Sequence, residues 1–310
     1  MKNTSSAKKF LSLAVVFMGV SMSSFVTRSA KSDDTYVGRG TAAIYGPIAG
    51  DQIEFLSSPE RIKSVVTSNS PQAIWEALEH GERVECIDCI GAVSPLIYDA
   101  NEDVREISAW WLRRRMFGVF GKGEVYEKTL GALKSDPNPK RRAYAASALG
   151  EFLVTPGIAA CAEAIRTDKE PEVRAAAALA LGRLNDDGAG ALGAALYDAN
   201  EEVKLAALRS IVRINQFTDP GFSKLMFDES ARVRRRMIEA IETKGMKESA
   251  VTSGLETLAK SDKDADVRVA ACHALGALGV ASARPALEQI VSSDPDTFVR
   301  DQAKIALRRI

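Results

Sequence analysis

The chain has 310 residues, with 41 basic and 41 acidic side chains, 46% hydrophobic and 26% charged. That apolar share excludes wholesale disorder, and a formal net charge of zero excludes a strongly basic nucleic-acid binder on composition alone. Aromatics are only 6% while alanine is abundant, which favours helices packed through small side chains over a sheet rich in Val, Ile, Thr and Tyr.

In chain order, residues 1–9 carry Lys2, Lys8 and Lys9 and no acid, residues 10–20 are apolar but for Ser12, and residues 21–30 are mostly small and polar. Charged, apolar, then small is the layout of a secretory signal peptide. The apolar run is short for a bilayer, which takes about 20 residues. Residues 1–30 are therefore expected to direct export, to the periplasm or the extracellular space. The alternative is an uncleaved N-terminal segment that anchors the chain to a membrane. Without Lys2, Lys8, Lys9 and Arg28 the remainder holds 37 basic and 41 acidic groups, net −4, and offers no membrane span. Residues 31–58, with Gly38, Gly40, Gly46, Pro47 and Gly50, are expected to form a flexible N-terminal segment. Residues 59–83 are expected to form a helical cap, with Ser70-Pro71 opening a helix through Glu79.

From residue 84 to 310 one motif recurs seven times. An Asp is followed six residues later by Arg or Lys: Asp99–Arg105, Asp136–Arg142, Asp168–Arg174, Asp198–Lys204, Asp228–Arg234, Asp262–Arg268 and Asp294–Arg300. The residue before the base is Val in every copy but the second, where Arg141 stands. The spacings are 37, 32, 30, 30, 34 and 32 residues. Counted from the Val position, +8 is always Leu or Ile (Leu112, Leu149, Leu181, Ile211, Ile241, Leu275, Leu307), and +7 is Ala or Ser except at Trp111. That period predicts a helix after each frame, with large beside small residues on its inner face. A shorter apolar helix precedes each Asp, for example over residues 191–197 and 253–260. Each unit is thus a helix pair, and one pair cannot bury both faces without neighbours, so an all-α solenoid of about seven pairs is predicted. Trp111 and Arg115 make the first copy atypical. Arg236 and Lys244, in apolar slots, mark the fifth as the weakest and most mobile repeat.

The Asp–Val–Arg frames and the tails Ala148-Leu149-Gly150, Ala180-Leu181-Gly182 and Ala274-Leu275-Gly276 resemble HEAT repeats, in particular the short phycobilisome-lyase-like kind. The resemblance covers roughly residues 84–310 and implies a scaffold or binding surface. It also implies that the seven Asp and basic partners form a structural ladder along the inter-helix turns, and that second helices line the concave side.

Chemistry was sought next. Cys86-Ile87-Asp88-Cys89 lacks the His that covalent haem requires after the second Cys. Cys161 and Cys272 lie in repeats three and six, too far off to complete a zinc site. A redox dithiol would want a strand-to-helix junction. A local disulfide between Cys86 and Cys89, two buried thiols, and a redox dithiol without that junction are the readings that stay open. His80 and His273 have no Glu directly after them, and no nucleophile triad is spaced along the chain. No catalytic, cofactor or metal residue is assigned. On second helices the +6, +9 and +10 positions are expected to point away from the core. They offer Trp110, Arg113, Arg114, Arg183, Arg213, His273 and Arg309 as a stripe for an acidic partner protein, with Trp110 as anchor. The expected function is an exported, non-enzymatic scaffold that binds protein and not nucleic acid. The alternatives are a bilin-lyase-like chromophore-binding enzyme and a HEAT-type nucleic-acid binder.

Overall fold

A computed structural model describes residues 35–36, 48–49, 56–68, 70–184, 189–215 and 222–310. The chain divides into two compact units, Met1–Glu54 and Phe55–Ile310. In the first, β1 (Thr35–Tyr36) and β2 (Ile48–Ala49) pair antiparallel, with Thr35 opposite Ala49. The expected signal peptide at 1–30 lies outside the described residues, as does most of the segment 31–58.

The second unit opens with α1 (Pro59–Val65) and α2 (Pro71–His80). Each starts with Ser before Pro: the Ser58 and Ser70 hydroxyls accept the N–H of Arg61 and Ala73, and the prolines sit where no intrahelical N–H is needed. Seven helix pairs follow. They are α3 (Ile87–Val93) continued by a 3₁₀ turn (Ser94–Tyr98) with α4 (Glu102–Arg113), and α5 (Glu124–Ser135) with α6 (Pro139–Phe152). Next come α7 (Pro156–Thr167) with α8 (Pro171–Leu184), and α9 (Ala189–Ala195) with α10 (Glu201–Ile214). The last three are a 3₁₀ helix (Phe222–Phe227) with α11 (Ala231–Lys244), α12 (Ser249–Ser261) with α13 (Ala265–Leu278), and α14 (Arg284–Ser293) with α15 (Thr297–Leu307). Second helices touch in unbroken succession from α4 through α6, α8, α10, α11 and α13 to α15. This is the predicted α-solenoid. Among the described residues the first helix of the fifth pair is a 3₁₀ segment; Arg236 lies on the surface bonded to Glu239.

The frame residues explain the stacking. In all seven copies one oxygen of the Asp accepts the N–H two residues on, at 2.8–3.0 Å, which shapes the turn into the second helix. In five of them the carboxylate also meets the base of the preceding repeat. Arg142–Asp168, Arg174–Asp198, Lys204–Asp228, Arg234–Asp262 and Arg268–Asp294 are 2.6–2.8 Å apart. Within its own repeat each of these four arginines donates instead to the Asp carbonyl, as Arg142 does to Asp136 at 2.9 Å. The rungs therefore bolt one repeat to the next. Hydrogen bonding from Arg174 holds the Asp198 carboxyl below the usual range. At Asp168 and Asp294 burial pushes upward, but the bonds from Arg142 and Arg268 and from backbone N–H groups outweigh it.

One sequence expectation is corrected. The +9 residues Gly150, Gly182 and Gly276 do not point away from the core; each is buried against the next second helix. A Cβ on Gly276 would stand 2.7 Å from Ala306 Cα, and one on Gly150 2.8 Å from Ala180 Cα. Absent side chains let adjacent helices close to backbone contact. Position +5 is likewise interior: Ala109, Ala146, Ala178, Leu208, Ile238 and Cys272 are buried. On α15 these slots hold exposed Lys304 and Arg308, so that flank is polar. Trp111 and Arg115 show what makes the first copy atypical. They are buried, and they clamp the cap: Trp111 Nε1 donates to Gly81 O at 2.9 Å, and Arg115 donates to carbonyls of Gly81, Glu82, Val84 and Trp111. Burial, then the neighbouring Arg114, lowers the Arg115 pKa to about 10, which still leaves a cation at neutral pH.

Candidate functional site

The second helices α4, α6 and α8 share a groove, built by the same periodicity that buries their opposite faces. Its floor is small: Ala109, Ala148, Ala176 and Ala180 keep the backbone near the surface. Above it stand Glu102, Arg105 and Glu106 from α4, Tyr144 and Glu151 from α6, and Leu179 and Arg183 from α8. Leu179 is 37% exposed, a large apolar side chain offered to solvent from the α8 side of the groove. The enclosed space is about 100 Å³. That holds one anchoring side chain; cofactor pockets run to roughly 300–1,000 Å³.

Both arginines of the groove are engaged within it. Arg105 lies 4.0 Å over the Tyr144 ring, because its expected rung to Asp136 is not made. Arg141 takes that carboxylate instead, with its Nε 2.9 Å from Asp136 Oδ2. Arg183 bonds Glu151 and stands 3.7 Å from Glu106. Three glutamates against two arginines leave the groove without a positive surplus.

The proposed basic stripe does not come together as one site. Arg183 lies in the groove. Arg114 is paired with Glu82 beside the cap at 2.7 Å, and His273 with Glu242 at 2.9 Å on the sixth pair. Trp110 is half-buried against the core, and Arg113 is half-buried beside it. Arg213 and Arg309 are exposed on α10 and just beyond α15. The stripe is thus interrupted by carboxylates and is no bare positive surface. Only basic and aromatic residues at +6, +9 and +10 entered the expected stripe, which left out Glu106, Tyr144, Glu151 and Leu179. Glu151 stands at +10 of its own copy and Leu179 at +6, so the same count could have found both; Glu106 at +2 and Tyr144 at +3 fall outside it.

The cysteines separate into two kinds. Cys86 caps α3, and a disulfide joins it to Cys89. Cys161 and Cys272 are buried free thiols, pushed up to about 12 by burial, and thus poor nucleophiles. Among the described residues no cluster of metal-ligating side chains occurs, and no helix is long and apolar enough to cross a membrane. His80 lies 2.8 Å from the Glu76 carbonyl, its ring satisfied within α2.

Comparison with known proteins bears on the family and the fold. The model for HEAT repeats matches residues 126–212 and 218–308, more than half of the chain. No curated protein matches the sequence. The solved structure of YibA from Escherichia coli is similar at 18% identity, over 84% of this chain and 97% of that one, with a TM-score of 0.54. A homology model of the full-length AP-3 complex is similar at 16% identity, over 84% of this chain and 54% of that one, with the same TM-score. The CpcE–CpcF phycocyanin lyase complex from Nostoc is more distant, at 17% identity and a TM-score of 0.38, over 71% of this chain and 93% of that one. Such identities speak for the fold alone. With its seven helix pairs, its cross-repeat ladder and the match over both halves of the array, the chain belongs to the HEAT-repeat family.

Proposed function

We propose that this chain is an exported, non-enzymatic scaffold that binds a partner protein in the groove of α4, α6 and α8. The observation that carries the reading is the exposed Leu179, set with Tyr144 and the Arg183–Glu151 ion pair on a helical floor of small side chains. An apolar anchor ringed by polar pairs is the arrangement of a protein contact surface. The small volume also favours contact over enclosure of a chromophore. The partner is expected to present one apolar anchor with mixed charge around it, not a purely acidic strip. Export is supported by the leader-like pattern of residues 1–30 and by the Cys86–Cys89 disulfide, a bond suited to oxidising compartments.

The test is affinity capture with the tagged chain from envelope and extracellular fractions, using wild type and Tyr144→Ala/Leu179→Asp as baits. A protein held by wild type and lost with the double variant is expected. Recovery of the same proteins by both baits would remove the groove from the reading. A chain that stays cytosolic and uncleaved would remove export.

A further inference from the structure

Three departures from the repeat meet in one place. The spacing between the first two frames is the longest, 37 residues against 30–34 elsewhere, and residues 114–123 form a turn with a 3₁₀ segment at Gly118–Phe120. Arg141 stands where the other six copies have Val. The ion-pair rung from Arg105 to Asp136 is missing. Together they leave a half-open cavity of about 510 Å³ between α3, with its 3₁₀ extension, and α5. Five regular rungs follow directly, so the irregularity is confined to this cavity.

Its wall is apolar, from Ile90, Met116, Phe120 and Val125, while Lys128, Arg141 and Glu124 are its nearest charges apart from the clamped Arg115. Glu124 is engaged by the Lys122 N–H at 3.1 Å. Arg141 gives only its Nε to Asp136 and lies 4.1 Å over the Tyr98 ring; its Nη donors have no acceptor among the described residues. Lys128 is exposed and makes no ion pair among the described residues. A guanidinium held flat by an aromatic ring, with its outer edge free, is set for bidentate contact with a carboxylate. The volume lies within the roughly 300–1,000 Å³ of small-molecule pockets, which favours a small ligand over a protein segment.

We propose that this cavity binds a medium-chain fatty carboxylate, its tail along Ile90, Phe120 and Val125 and its head between Arg141 and Lys128. Arg141 shares α6 with Tyr144 and Glu151 of the groove and Ile97 lines both sites, but Ile90, Phe120, Val125 and Lys128 belong to the cavity alone, so their variants leave binding in the groove separately measurable.

The experiment is calorimetric titration of the full chain with dodecanoate below its micellar concentration. Saturable binding near one per chain is expected. Arg141→Val, which restores the residue of the other copies, should weaken it about tenfold or more, the effect of losing one charge-assisted contact. Phe120→Ser should weaken it comparably, Lys304→Gln at the far end should not, and dodecyltrimethylammonium should bind at least about tenfold more weakly than dodecanoate. If circular dichroism shows Arg141→Val unfolded, Lys128→Gln supplies the head-group test. Absence of saturable binding, equal affinity of the cationic amphiphile, or unchanged affinity in both the head-group and the Phe120 variants overturns the proposal.

Discussion

Replacing Arg234 by Met cuts the most enclosed rung of the ladder. The Arg234 and Asp262 side chains are 4% and 5% exposed, and both guanidinium–carboxylate bonds are 2.7 Å. Arg234 also donates to the carbonyls of Asp228 and Glu229, at 2.9 and 3.0 Å. Methionine fills much of the space but strands a buried carboxylate, which keeps only the Asp264 N–H at 2.9 Å. Removing one partner of such a pair costs about 3–5 kcal/mol. Urea unfolding followed by circular dichroism measures the total, and hydrogen exchange over residues 228–268 localises it, because repeat arrays open in units. Arg232→Met, which breaks exposed contacts to Glu201 and Glu202 one turn away, is the control and should change little. Arg234→Met/Asp262→Leu should regain most of the loss, since no buried charge is then left alone. A single variant no less stable than the control would refute the rung as the bolt between repeats five and six.

Gly276→Ala should destabilise the chain by about 1–3 kcal/mol through overpacking against Ala306, although alanine is the better helix former; an unchanged or raised Tm would show that the helices separate freely. Acid should loosen the array. Asp198 has its folded pKa depressed, so its contribution is present above the unfolded value near 4 and is lost as pH falls through the folded one. Tm should therefore drop as pH falls below the unfolded value, and Arg174→Met should flatten that part of the curve. A variant with the wild-type acid profile would contradict the assignment. Alkylation of unfolded, unreduced chain should label Cys161 and Cys272 alone, and all 4 cysteines after reduction; labelling of Cys86 without reductant would exclude the disulfide in the protein tested.

The fold was legible because the frame repeats in step: Asp, Val and Arg at fixed offsets, followed by helical periodicity, leave few other ways to bury Leu181 or Leu275. What each frame residue does was less legible. Spacing puts Arg142 near its own Asp136, and only three dimensions show that its side chain reaches Asp168 of the next turn. The glycine tails were visible but their purpose was not. Helical geometry places +9 off the face that meets the first helix, and says nothing of the flank that meets the next second helix. The binding stripe failed for a related reason. A list of outward positions cannot show that Glu82, Glu151 and Glu242 come from other elements to pair with three of its seven members.

The groove is tested most directly by placing a photo-crosslinking amino acid at Leu179, and separately at exposed Lys260 on the first helix α12, in the chain expressed in its own cells. The account predicts a discrete, light-dependent adduct with one protein from position 179 and none from position 260. Adducts of the same kind from both positions, or from 260 alone, would contradict a partner seated across α4, α6 and α8.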